Sequence, residues 1–134
     1  MYSVIYDGHC NLCVNLVRSL EALDRGQRFQ YIPMQDRAGL AVYGLTPADG
    51  QAGMIVVDQA DPSQRWQGSA AAEAIVRLFP LAEGLVHGYQ LSWLKPLGDQ
   101  IYAYVRDRRY ALFGQRHTLY RSAYPDCQSG HCRP

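Results

Sequence analysis

The chain has 134 residues, a formal net charge of +1, 48% hydrophobic and 19% charged residues, and four cysteines. A chain of this length buries roughly two-thirds of its unfolded surface, which supports one core without covalent staples and leaves too little for two. The charged fraction is too low for a disordered chain, and no run of about 18 apolar residues exists to cross a membrane, so the composition describes a globular protein with no membrane partner.

Tyr2 to Tyr6 (YSVIY) is β-branched and aromatic, the composition of a short strand, and Asp7-Gly8 breaks it. From Asn11 the apolar residues Leu12, Leu16, Leu20 and Leu23, with Cys13 and Val17 in the adjacent row, recur at helical spacing until Arg25-Gly26. Arg28 to Ile32 alternates as a strand and is closed by Pro33. A helix of that length between two strands predicts a parallel pair with a right-handed crossover. Gln35 to Tyr43 is a short, weakly periodic helix candidate, and Gly44 to Gly53, with Pro47 and Gly50, reads as loop.

Met54 to Asp58 (MIVVD) is the continuous apolar run of a central strand. Gln59 to Gln64 is a turn and Arg65 to Gln67 a short return strand. Ser69 stands as the N-cap of a helix with Ala71, Ala74, Ile75 and Leu78 on one face, stopped at Pro80. Pro96 to Phe113 carries Leu97, Ile101, Val105 and Leu112 near helical spacing and ends at Gly114, as one extra amphipathic helix. The expected fold class is α/β, a mixed sheet of about four strands flanked by helices. Residues 1–114 form the domain and 115–134 a C-terminal tail.

Residues 100–134 hold six Arg against Asp107 and Asp126, or +4, whereas residues 1–99 hold seven basic and ten acidic residues, or −3. A basic tail suits an anionic partner, but Arg106, Arg108 and Arg109 near a helix C-terminus are also what the macrodipole favours. They are read as a solvated or interface-facing set, with no nucleic-acid partner. The sequence has no Gly-rich phosphate loop, no H-E-x-x-H, no G-x-S-x-G and no dinucleotide fingerprint.

The cysteines form two close pairs, Cys10 with Cys13 and Cys127 with Cys132. Met1 to Asp7 lacks the basic flank and apolar stretch of a secretory signal, so the chain is expected in the cytoplasm. In that compartment a cysteine pair is redox-active or metal-bound more often than a staple. The C-x-x-C lies where a strand hands over to a helix. Cysteines three apart on a first helical turn are about 5–6 Å apart, within reach of a disulfide. Cys10 falls near the unsatisfied helix amides, whose partial positive charge favours a thiolate, while Cys13 continues the apolar stripe. One sulfur, Cys10, is expected to be presented and the other sheltered. His9 is either an imidazolium beside Cys10 or an exposed turn residue. Asp7 either relays a proton or enters the turn.

Three functions fit these residues. The first is a dithiol-disulfide oxidoreductase acting on a protein or small-molecule disulfide or dithiol, without a cofactor. Cys10 thiolate attacks and Cys13 displaces the product. The second is a zinc-binding structural or interaction module built from Cys10, Cys13, Cys127 and Cys132, with His9 or His131 as substitutes. The third is a redox-inactive scaffold whose cysteines pack. Ser, Gly and Pro surround Cys127 and Cys132 in DCQSGHCRP, which reads as a loose or weakly structural pair.

Asp7, Cys10 and Cys13 within YDGHCNLC, with the later MIVVD, RWQGSAAAEAI and DRRYALFG segments, resemble the DCC family of thiol-disulfide oxidoreductases. The resemblance covers about Tyr2 to Gly114 and implies a thioredoxin-like fold, with Cys10 as the attacking and Cys13 as the resolving sulfur. It also makes Asp7 a signature position and Arg109 a family position of unknown role. One feature departs from thioredoxins, which carry a cis-proline directly before the strand facing the cysteine pair. Here Ala52-Gly53 precedes Met54, so substrate docking is expected to differ.

Overall fold

A computed structural model of the chain describes residues 1–51, 53–79, 94–122 and 124. Strands β1 (Tyr2–Tyr6), β2 (Phe29–Pro33), β3 (Ile55–Asp58) and β4 (Arg65–Gln67) form one sheet in the order β2-β1-β3-β4. Strand β1 runs parallel to β2, with Tyr2 opposite Phe29 and Tyr6 opposite Pro33, and antiparallel to β3, with Ile5 opposite Ile55. Strand β4 returns antiparallel to β3. The predicted crossover is helix α1 (Asn11–Asp24).

Alternation along the strands builds a core on each face of the sheet. Val4 and Tyr6 face one side with Val17, Leu20, Phe29, Tyr31 and Val56, covered by α1 and by Ala71 and Ile75 of α4 (Ser69–Arg77). Ile5 faces the other with Ile32, Ile55 and Val57, covered by Leu40 of α2 (Arg37–Ala41) and by Tyr43. Helix α1 ends where predicted. Arg25 adopts the left-handed conformation and donates its amide to the Glu21 carbonyl, and Gly26 follows at φ 75. Buried Asp24 then accepts the amides of Arg28 and Phe29 at 2.8 and 3.0 Å, turning the chain into β2.

Several expectations need correction. The buried stripe of α1 is Val14, Val17 and Leu20, whereas Leu16 and Leu23 are 43% and 71% exposed. The sheet contacts the row centred on Val17, one of two apolar rows that the spacing allowed. Residues read as loop contain a short helix α3 (Pro47–Gln51). Asp49 accepts both the amide and the hydroxyl of Thr46, the reach-back half of a capping box, with Pro at the first helical position. Ser69 does not cap α4. Gly68 occupies that position at φ 67, and the Ser69 hydroxyl bonds Asp99 instead.

The single C-terminal helix is two, α5 (Leu94–Asp107) and α6 (Arg109–Phe113). At Arg108 the backbone leaves the helical region, and the Arg108 guanidinium stacks on Tyr104. The break reorients the chain so that Arg109 turns inward. Beyond α6 the chain runs back over the domain. The Tyr6 hydroxyl donates to the Tyr120 carbonyl at 2.8 Å, and Tyr31 donates its amide to the Tyr124 carbonyl at 3.0 Å.

Candidate active site

The turn after β1 sets the site. The Cys10 amide donates to the Asp7 carbonyl at 3.2 Å, placing Cys10 as the N-cap of α1 in extended conformation. Its sulfur accepts the Cys13 amide at 3.4 Å, one of the donors a helix N-terminus leaves open. The Cys13 thiol also hydrogen-bonds that sulfur. This bond, helped by the Cys13 amide and the positive charge of Arg109, brings the Cys10 thiol down to about 6 against the opposing effects of burial and Asp7. The same bond holds the Cys13 proton in place, and with burial it pushes the Cys13 thiol well above the ordinary range. Both cysteines are free thiols.

The exposure of the pair is the reverse of that expected. Cys10 is 0% exposed, and Cys13 is half-buried. The turn and the N-cap position draw Cys10 inward under the returning chain, while Cys13 lies beside the buried Val14–Val17 row rather than on it.

Asp7 organises the surroundings. Its carboxylate is buried, with one oxygen accepting the His9 amide at 3.0 Å and the Gln35 side-chain amide at 2.8 Å. The other accepts the Tyr110 hydroxyl and faces an Arg109 nitrogen at 3.4 Å. Arg109 is thus not part of a solvated set. It is 5% exposed, touches Gln51 at 3.4 Å, and its Nε has no hydrogen-bond partner among the described residues. The His9 ring is engaged elsewhere, since Nδ1 lies 3.1 Å from the Arg116 carbonyl and must carry the proton in that bond. Asp7, Cys10, Cys13 and Arg109 therefore come together, and His9 lines their edge. Sequence reasoning missed Gln35 and Tyr110. Tyr110 stood within the quoted DRRYALFG segment, but nothing local tied it to a residue 103 positions earlier.

No cis peptide bond occurs among the described residues. Gly53 enters β3 at φ 130, and the Met54 amide donates to the Tyr102 hydroxyl at 3.3 Å. A Cβ on Gly53 would lie 2.9 Å from that hydroxyl, so the glycine allows α5 to approach this end of β3. Among the described residues no group of three or more His, Cys, Asp or Glu could hold a metal ion, and no helix is long and apolar enough to cross a membrane. Cys127, Cys132 and His131, which the zinc alternative needs, lie outside the described residues.

A four-stranded mixed sheet flanked by helices, with two close cysteines at the N-terminus of the first helix, defines a thioredoxin-like α/β protein. The family model for DCC1-like thiol-disulfide oxidoreductases matches residues 4–115, and the chain belongs to that family. No curated protein and no solved structure matches it.

Proposed function

We propose that the chain is a dithiol-disulfide oxidoreductase in which Cys10 is the attacking sulfur and Cys13 the resolving one. The observation that carries this reading is the Cys10 sulfur as N-cap of α1, accepting the Cys13 backbone amide at 3.4 Å. A thiol brought to about 6 is mostly thiolate at neutral pH, and the thiolate is the nucleophile.

In the first step the Cys10 thiolate bonds one sulfur of the substrate disulfide, the substrate S–S bond breaks, and the other substrate sulfur leaves as a thiolate. Cys13 then gives up its proton and attacks the Cys10 sulfur, releasing the second substrate thiolate and leaving a Cys10–Cys13 disulfide. Two electrons pass from the dithiol to the substrate disulfide, and no cofactor takes part. Once Cys10 is in a mixed disulfide, it no longer holds the Cys13 proton. Asp7 is then the buried carboxylate that accepts it, with Arg109 balancing the Asp7 charge and favouring the Cys10 thiolate. Substrates are protein or small-molecule disulfides, and the reverse sequence oxidises dithiols.

The test is mass spectrometry of trapped intermediates. A reversible Cys10–Cys13 bridge is expected in the parent chain, and Cys13→Ser accumulates a mixed disulfide at Cys10. Failure to form the bridge reversibly, or adducts that form on Cys13 in Cys10→Ser as readily as on Cys10 in Cys13→Ser, overturns the assignment.

A further inference from the structure

A sulfur that is 0% exposed cannot meet a substrate until something beside it moves. The segment running beside Cys10 is Gly114–Arg116, and Gln115 forms an isolated antiparallel bridge with Cys10. Arg116 donates its amide to the His9 carbonyl at 2.6 Å, and Asn11 donates its amide to the Gly114 carbonyl at 3.4 Å. The residues on either side of Cys10 are therefore bonded while Cys10 and Gln115 are not bonded to each other, which is the non-hydrogen-bonded antiparallel pairing. Its facing Cα atoms are about 4.5 Å apart, inside the range of roughly 4.4–6.8 Å that a disulfide bridges. Gln115 occupies the place a cysteine would take if it were disulfide-bonded to Cys10.

The hydrogen bonds that hold the segment run through its main chain, and the Arg116 guanidinium lies over the Tyr120 ring. The Asn11 side-chain amide donates to the Phe113 carbonyl at 2.9 Å, and the His9 ring donates to the Arg116 carbonyl. Phe113 is 46% exposed, and Gln115 is exposed as well. Both flanks are anchored independently of it. Arg109 and Tyr110 sit on Asp7, while Tyr120 donates its amide to the Gly8 carbonyl at 3.0 Å and its hydroxyl to Glu21. Gly114, at φ 83, is a swivel at one end. With Phe113 and Gln115 exposed and, among the described residues, no strand pairing beyond the single bridge at Cys10, the segment is placed at the low-stability end of the fold.

We propose that the main-chain edge His9–Asn11 is the docking edge for an extended polypeptide bearing the substrate disulfide, and that Gly114–Arg116 fills this edge when no substrate is bound. The substrate strand pairs antiparallel through the same two backbone bonds, with its reacting cysteine opposite Cys10 in the place of Gln115. Recognition through main-chain atoms makes the edge tolerant of substrate sequence, as in strand addition to a sheet edge. The inference rests on Cys10 being the attacking sulfur.

The test joins Cys10 of Cys13→Ser, as a mixed disulfide, either to a ten-residue peptide of Ala and Ser with one central cysteine or to 2-mercaptoethanol, and follows amide hydrogen exchange. With the peptide attached, the Arg116 amide is expected to exchange at least about tenfold faster than in the 2-mercaptoethanol adduct. The Asn11 amide stays protected, because the peptide replaces Gly114 as its acceptor. An Arg116 amide that keeps its protection in the peptide adduct, or an Asn11 amide that loses it, overturns the docking edge and leaves the sulfur roles standing. Failure of Cys10 to take up either thiol while Cys13 of the parent chain reacts overturns the sulfur roles and the docking edge with them. Independently, Asn11→Ala removes one bond to the segment and is expected to speed Cys10 alkylation about three- to tenfold. An unchanged rate, with faster exchange at Arg116 proving the segment loosened, also refutes the proposal.

Discussion

Arg109 and Asp7 are two buried opposite charges whose energetic value lies in being together. Taking Arg109 away leaves the Asp7 charge held only by the neutral donors of His9, Gln35 and Tyr110, a loss of up to about 3–5 kcal/mol. Arg109→Met is therefore expected to lower the urea unfolding free energy by about that amount, whereas Arg106→Met, at a half-buried position away from Asp7, is expected to cost under about 1 kcal/mol. The same variant removes a positive charge that favours the Cys10 thiolate. In the parent chain the rate of Cys10 alkylation is at its plateau above about pH 7 and falls as pH drops through about 6. In Arg109→Met that midpoint moves upward, and a midpoint that stays in place shows that the Cys13 hydrogen bonds alone set it. The position of YDGHCNLC at the junction of β1 and α1 was open to a sequence reading because strand composition and helix-start signals are local. Gln35 and Tyr110 behind it were not, and Arg109 was named without its partner, because all three reach Asp7 only after the chain has folded.

At the scale of elements, β1 to β4, α1, α2 and α4 were legible to within a few residues, since each carries either strand composition or helical periodicity over enough residues. Helix α3 was not, because five residues cannot display a helical period. Its signal was instead Thr46-Pro47-Ala48-Asp49, in which the Asp49 carboxylate reaches back to Thr46 at the helix start. Thr46→Ala removes one exposed hydrogen bond and is expected to cost up to about 1 kcal/mol in thermal or urea unfolding, with the Cys10 alkylation rate unchanged, since among the described residues α3 bonds the site through Gln51. The break at Arg108 was also hidden. Helical spacing continues across it, and what stops the helix is the inward pull on Arg109, which belongs to the tertiary contacts.

Over the whole molecule, the returning chain after α6 covers the turn at Gly8, packs Tyr120 on Tyr6, and places a carbonyl of Tyr124 on the open edge of β2 at Tyr31. A chain ending at Gly114 is expected to lose about 3–5 kcal/mol of stability from those bonds and the aromatic burial, measured by urea unfolding against the full chain. Equal stability shows that residues 1–114 fold without the returning segment. The strands, the longer helices and the location of the dithiol followed from the sequence alone, because strand composition, helical period and helix-end chemistry act between near neighbours. Which α1 row is buried, which sulfur is exposed and which cation meets Asp7 were settled by packing, because each depends on the surface that another part of the chain brings against it.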